Sequence, residues 1–327
     1  MHITLKLLGL ARNVFHFINR KSARTAAGLA FLALATMAGS AFGQSGRYFV
    51  TDESGYNQIW QFQGGALVNT FPTVPAGGAD GPILVDGNSQ TVRSVKGGFS
   101  GGSAPVFGSE YDFAGVVQGG LSLDFSAHGG YGRVIDAAFD GKDSYIVAGL
   151  FGTAGVFRFN GDFSGPGTLV FNLVGAPQDT AQGITYDTLT DTIWTSDYDF
   201  SAQTTGGRVR QWDPNTGTEL FSFPVIDNAG VASERNTALA YDRSDDTFWM
   251  NAHVENTLGF GLGELWQFDR AGNFLQKIHG AQTSAAAPQD ILYWGGEIYT
   301  VPEPTSFMLL AGCGCFFGLA GRRKARP

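Results

Sequence analysis

With 327 residues, 47 glycines, 27 phenylalanines and only 15% charged side chains, the chain has the composition of a β-rich body with many turns, long enough to bury a sizeable core. Its formal charge of -8 is unevenly spread: residues 1–43 carry five basic side chains and no acid, the stretch from Pro302 carries four basic and one acidic, and the middle keeps 12 basic and 28 acidic, a net of -16. So acidic a middle repels nucleic acid and anionic membrane surfaces, which excludes both as its partners and leaves cations or neutral carbohydrate.

In chain order, the first segment is a basic stretch followed by AAGLAFLALATMAG (26–39) and then SAFGQ, with small Ala41 and Gly43 at the two positions a signal peptidase reads. This pattern predicts a secretory signal over 1–43, removed after Gly43. An uncleaved anchor is the alternative, but the apolar run is shorter than the roughly 20 residues that span a bilayer. No cysteine follows the site and no twin arginine precedes the run, so neither a lipoprotein nor a twin-arginine substrate is expected.

The body, 44–301, repeats itself. GITYDTLTDTIWTSDYDFSAQTTGGRVRQWDPNTGTELFSF (from Gly183) and ALAYDRSDDTFWMNAHVENTLGFGLGELWQFDRAGNFLQKI (from Ala238) align Tyr186 with Tyr241 and Trp194 with Trp249. Each copy reads as strand, tight Asp-rich turn, strand, long loop, strand, Gly-containing turn, strand. A weaker copy runs from Ala137 to Leu173. A degenerate one occupies 83–125, with ILVDG, TVRSV, YDFAGVV and LSLDF as its strands. A fifth is split between the ends: DILY (290–293) and EIYTV (297–301) would supply its first two strands, and IWQFQGGALVNTF (59–71) its outer two. Radial repeats of four strands predict an all-β fold, a β-propeller of about five blades with six or seven as alternatives, closed by strands from both termini. A β-sandwich of regular hairpins is the competing architecture.

Because consecutive strands run antiparallel, the first and third turns of each blade fall on one face, and the second loops and inter-blade loops on the other. First turns (DTLTD, DRSDD) and third turns (DPNTG, DRAGN) are tight, and turn chemistry accounts for their Asp, Asn and Gly residues. Calcium is the alternative at DRSDD, but the spacing lacks the Asp-x-Asp-x-Asp-Gly pattern, so no cofactor is expected. The other loops are long, including 197–206 and 252–262. That face is the expected interaction surface, with Asp197, Tyr198, Asp199, His253, Glu255 and Asn256 as candidates to hold sugar hydroxyls, a cation or a protein.

The tail reads VPEPTSFMLLAGCGCFFGLAGRRKARP. Residues 305–321 lack charge and predict a transmembrane helix, and the basic end (322–327, with Arg322, Arg323 and Lys324) favours the cytoplasm. Both cysteines of the chain, Cys313 and Cys315, lie here as small packing residues, so the body has neither a disulfide nor a thiol nucleophile. Together with Val301, Pro302, Glu303 and Pro304, the tail resembles the PEP-CTERM sorting signal of Gram-negative bacteria. The same pattern also carries the label of an ice-binding protein C-terminal domain, yet no Thr-rich ladder runs through the body. The resemblance covers about 26 residues. It implies export, transient anchoring in the inner membrane, processing at Pro-Glu-Pro by an exosortase, and association with exopolysaccharide and biofilm material.

No His-Glu-x-x-His metal motif or Gly-x-Ser-x-Gly nucleophile elbow is present, and the body holds only His128, His253 and His279. The sequence therefore favours a non-catalytic binding or structural module at the cell surface or in the matrix, engaging polysaccharide or an envelope protein. A metal-assisted propeller hydrolase or lyase acting on carbohydrate, ester or lactone remains the alternative.

Overall fold

A computed structural model describes residues 46–52, 57–74, 80–96, 106–125, 128, 134–149, 154–173, 181–197, 207–233, 235–253, 264–279 and 293–299. All lie within Ser45–Val301, which forms one compact unit. The predicted signal peptide (1–43), transmembrane helix (305–321) and basic end lie outside the described residues. Among the described residues no helix is long and apolar enough to cross a membrane.

The body is a β-propeller of five four-stranded antiparallel blades. The first blade holds β1 (Arg47–Asp52), β2 (Gln58–Gln63) and β3 (Ala66–Pro72). The second is β4 (Asp80–Asp86), β5 (Thr91–Lys96), β6 (Val106–Asp112) and β7 (Val117–Leu123); the third is β8 (Val134–Phe139), β9 (Asp143–Gly149), β10 (Ala154–Asn160) and β11 (Thr168–Asn172). The fourth is β12 (Ala181–Asp187), β13 (Thr192–Asp197), β14 (Arg208–Trp212) and β15 (Glu219–Pro224). The fifth is β16 (Arg235–Asp242), β17 (Thr247–His253), β18 (Glu264–Asp269) and β19 (Phe274–His279). The last strand, β20 (Tyr293–Tyr299), returns to the first blade as its innermost strand, in the order β20-β1-β2-β3.

Burial follows position in the blade. Innermost β12 is buried at all seven residues, whereas outermost β3 alternates between exposed and half-buried along most of its length. Innermost strands β4, β8, β12, β16 and β20 neighbour one another around the axis, and β20 closes the ring between β16 and β4. Each of the five blade junctions carries its own apolar core. Trp194, Phe223, Tyr241, Phe248 and Phe268 fill the junction of the fourth and fifth blades, and Phe49, Ile59, Phe71, Ile83 and Tyr111 that of the first and second.

The expected closure by both termini holds, but its division differs from the two-plus-two arrangement. One strand comes from the C-terminus and three from the N-terminus, so RYFVTD, which lies outside the repeat pattern, is β1. YWGGEIY reads as a turn between two strands but continues as a single strand. Its glycines lie where inner strands converge: a β-carbon on Gly295 would sit 2.5 Å from the Gly81 oxygen, and one on Gly296 would sit 2.5 Å from the Ala238 oxygen. YDFAGVV in the second blade is likewise not one strand. It spans the end of β6, a tight turn and the start of β7, with Asp112 accepting from the Ala114 and Val116 N–H groups, both at 2.9 Å.

The tight turns keep the expected chemistry. Asp213 accepts from Asn215 N–H and Thr216 hydroxyl, and Asp269 from Asn273 N–H. Gly217 (φ 67°) is left-handed, and a β-carbon there would also meet Phe171 at 2.7 Å. The aligned tyrosines play equal parts: Tyr186 and Tyr241 each donate to the aspartate five residues on, Asp191 and Asp246.

Candidate functional site

The face opposite the tight turns begins where β13 and β17 end. Asp197 closes β13, and its carboxylate lies 2.7 Å from Nε of Arg210 on β14; both side chains are almost fully buried. Arg210 also reaches Glu219, and the Asp197 carbonyl accepts from the side chain of buried Asn236. Burial pushes the Asp197 carboxyl up to about 6, with the Arg210 guanidinium pulling the other way. In the structure Asp197 thus ties the rim of the fourth blade together. His253 closes β17, in register with Arg235 on β16. Tyr198, Asp199, Glu255 and Asn256 lie outside the described residues.

The axis holds a second constellation, absent from the residues that the sequence marks as candidates. Asp136 on β8 accepts from the backbone N–H groups of Ala137 (2.8 Å), Ile184 on β12 (3.1 Å) and Gly296 on β20 (3.1 Å). Glu297 on β20 accepts at Oε1 from the Thr185 hydroxyl (3.3 Å) and the Ile298 N–H (3.0 Å), while its Oε2 is buried with no hydrogen-bond partner. Thr185 in turn accepts from the Tyr241 N–H on β16. Tyr48 of β1 donates to the Ala238 carbonyl of β16, Thr51 of β1 to the Gly81 carbonyl of β4 (2.7 Å), and Thr237 of β16 to the Tyr293 carbonyl of β20. These bonds link all five blades.

Burial pushes the Glu297 carboxyl up to about 8. It also raises Asp136, whose three N–H donors oppose the shift and to whose rise the neighbouring Glu297 adds. Burial therefore favours the neutral form of Glu297 at neutral pH. A donor-rich, tightly converging axis suits carboxyl groups that bind strands together. The sequence signal for both residues is an acid inside an apolar inner-strand segment, VIDAAF and GGEIY, rather than in a turn.

A third feature lies on the tight-turn face between the fifth and first blades. A cleft of about 170 Å³ is lined by Trp249, Gln267, Gln276, Asp245 and the Gly64–Gly65 turn, and its inner wall is made by Gly46 and Ile298. Its polar lining is chained: Gln276 donates to Gln267 (2.7 Å), which donates to Asp245 (3.2 Å) and Thr247 (2.8 Å). Nearby, Arg270 of the fifth blade pairs with Asp187 of the fourth (2.7 Å) and with Asp246 (2.8 Å). Among the described residues no three His, Cys, Asp or Glu side chains gather as a metal centre.

Both ends of the ring leave on this same face, where Arg47 at the start of β1 pairs with Tyr299 at the end of β20. The segment after Tyr299 decides the protein's address. Residues 300–324 match the PEP-CTERM protein-sorting motif. A PEP-CTERM tail implies export, membrane-associated sorting to the cell surface and processing by an exosortase. Its motif residues, Val301, Pro302, Glu303, Pro304, Arg322, Arg323 and Lys324, lie outside the described residues.

No match was found among curated proteins. Among solved structures, a protein of unknown function from Bacteroides caccae is 11% identical with a TM-score of 0.47, covering 79% of this chain and 100% of its own. The glutaminyl cyclase of Myxococcus xanthus is 12% identical with a TM-score of 0.43, covering 69% of this chain and 82% of its own. At these values neither likeness bears on function.

Proposed function

We propose that this PEP-CTERM propeller is a non-catalytic binding or structural module at the surface of a Gram-negative bacterium. It engages exopolysaccharide or another envelope component through its long-loop face. The observation that carries this reading is the pairing of Arg47 with Tyr299, which puts both ends of the ring on the tight-turn face. The long loops then lie on the face opposite the one where the chain ends leave the ring. Asp197, Tyr198, Asp199, His253, Glu255 and Asn256 supply aromatic, carboxylate, imidazole and amide groups suited to sugar hydroxyls or a protein surface. The negative body favours neutral glycans over acidic ones.

In this reading the signal peptide (1–43) is removed by signal peptidase, the body spans 44–301, and the helix over 305–321 holds the protein in the inner membrane until the exosortase acts. Affinity electrophoresis of the secreted protein in gels containing the producing organism's polysaccharide tests the binding role, beside assays on glycoside, ester and lactone substrates. Retention that weakens in a Tyr198→Ala, Glu255→Ala variant, without turnover of any substrate, is the expected result. Turnover that His253→Ala or Glu255→Ala abolishes would replace this reading with the hydrolase one.

A further inference from the structure

We propose that the exosortase docks on the tight-turn face of the folded propeller, around the point where the chain leaves β20. The inference rests on the PEP-CTERM tail and adds a surface on the body that the motif does not specify.

Tyr299 is locked in place. It pairs with Arg47, its ring lies 4.9 Å from that of Phe113, and a β-carbon on Gly87 would sit 2.7 Å from its Cε2. The turns at 87–90 and 113–116 thus flank the exit on one side. On the other side Ile298 and Gly46 form the wall of the cleft between the first and fifth blades. Freeing β20 from the sheet would strip Asp136 of the Gly296 N–H and Glu297 of the Thr185 hydroxyl, so the ring holds this exit closed.

The motif match begins at residue 300, the next in the chain. Three extended residues reach at most about 10 Å, so Pro302 stays within that distance of the Tyr299 Cα whatever path the tail takes. A protease that grips Pro302-Glu303-Pro304 must therefore meet the ring itself. The chemistry of the face favours a protein over a lipid surface. Its exposed turn residues include Asp162, Asp191, Asp245 and Asp246 against Lys142 and Arg243, an excess of acid that anionic lipid repels. Beside the exit, Val116 is 58% exposed and Val117 47%, an apolar spot among polar turns of the kind that protein partners cover.

The test tracks exosortase processing of the full chain in membranes that contain the enzyme, comparing Val116→Arg and Asn88→Arg beside the exit with Val74→Arg. Val74 is exposed beyond β3, on the opposite face. We expect processing to slow about fivefold or more in the first two, a loss of about 1 kcal/mol of enzyme–substrate contact, and to stay unchanged in the third. A flexible Gly-Ser insert of about ten residues between Tyr299 and Thr300, which adds about 18 Å of mean reach, lets the enzyme grip the motif away from the ring and should remove the difference between the slowed variants and the unaltered chain. Melting temperatures equal to that of the unaltered chain separate docking from misfolding, and Asn88→Arg serves if Val116→Arg alone fails to fold. Equal processing of all three variants, or a difference from the unaltered chain that persists when both carry the insert, would overturn the docking surface and leave the sorting tag intact. No processing of the unaltered chain would overturn both.

Discussion

Trp194, Phe223, Phe248 and Phe268 pack one blade junction with ring against ring, whereas the axis where the inner strands meet is held by Asp136, Thr185, Glu297, Tyr48, Thr51 and Thr237. The junctions rely on apolar burial, which is non-directional and accumulates with area. At the axis, inner-strand backbone groups face one another with no further strand to pair them. There each polar side chain answers a particular N–H or carbonyl, and removing one leaves its partner buried and unpaired. The ring therefore has a tolerant girdle and an exacting centre.

The largest loss of stability is expected at a junction. Trp194→Ala opens a cavity beside Phe248, 4.5 Å away ring to ring, and should cost about 3–5 kcal/mol with no change of slope against pH, measured by urea unfolding at several pH values. Next comes Asp136→Asn, which keeps the volume. Either orientation of the amide turns its NH2 toward an N–H donor, Ile184 on one side or Gly296 and Ala137 on the other. About 1–3 kcal/mol should be lost in the same measurement. An unchanged midpoint would show that the axis is not the exacting part.

Glu297→Gln differs from both in its sign and in its dependence on pH. Burial lifts the folded value of Glu297 from 4.5 to about 8, so the unfolded chain releases its proton first as the pH rises. Its contribution to stability falls between about pH 4.5 and 8 and levels off above. Glutamine has no proton to lose, so the variant should lack that slope and be more stable than the parent at pH 8, by at least about 1 kcal/mol. Parallel stability curves for the two proteins would mean that Glu297 ionises freely in the folded ring.

Much of this architecture is legible in the chain. The alignment of Tyr186 with Tyr241 and Trp194 with Trp249 marks two blades because alternating burial and turn chemistry are local properties. Both tyrosines do meet the aspartates of their own turns. The tail is legible for a different reason, since a sorting tag is read as sequence. Local signals mislead where a remote contact overrides them. Gly295–Gly296 looks like a turn, and only the approach of Gly81 and Ala238 from other blades makes it strand. Likewise the pairing of Asp197 with Arg210, 13 residues on, is invisible to local pattern.

Fold class, closure of the ring by both ends and the sorting tag are all set within the sequence, because each is written in patterns a few residues to a few tens of residues long; the same patterns leave five, six or seven blades open, and the closed ring has five. Tertiary structure alone decided that β20 is innermost, that the chain therefore leaves on the tight-turn face, and that Asp136 and Glu297 meet other blades' strands at the axis. These depend on which remote strands converge. Convergence is fixed by the whole ring closing at once, with Glu297 reaching Thr185 across 112 residues of chain.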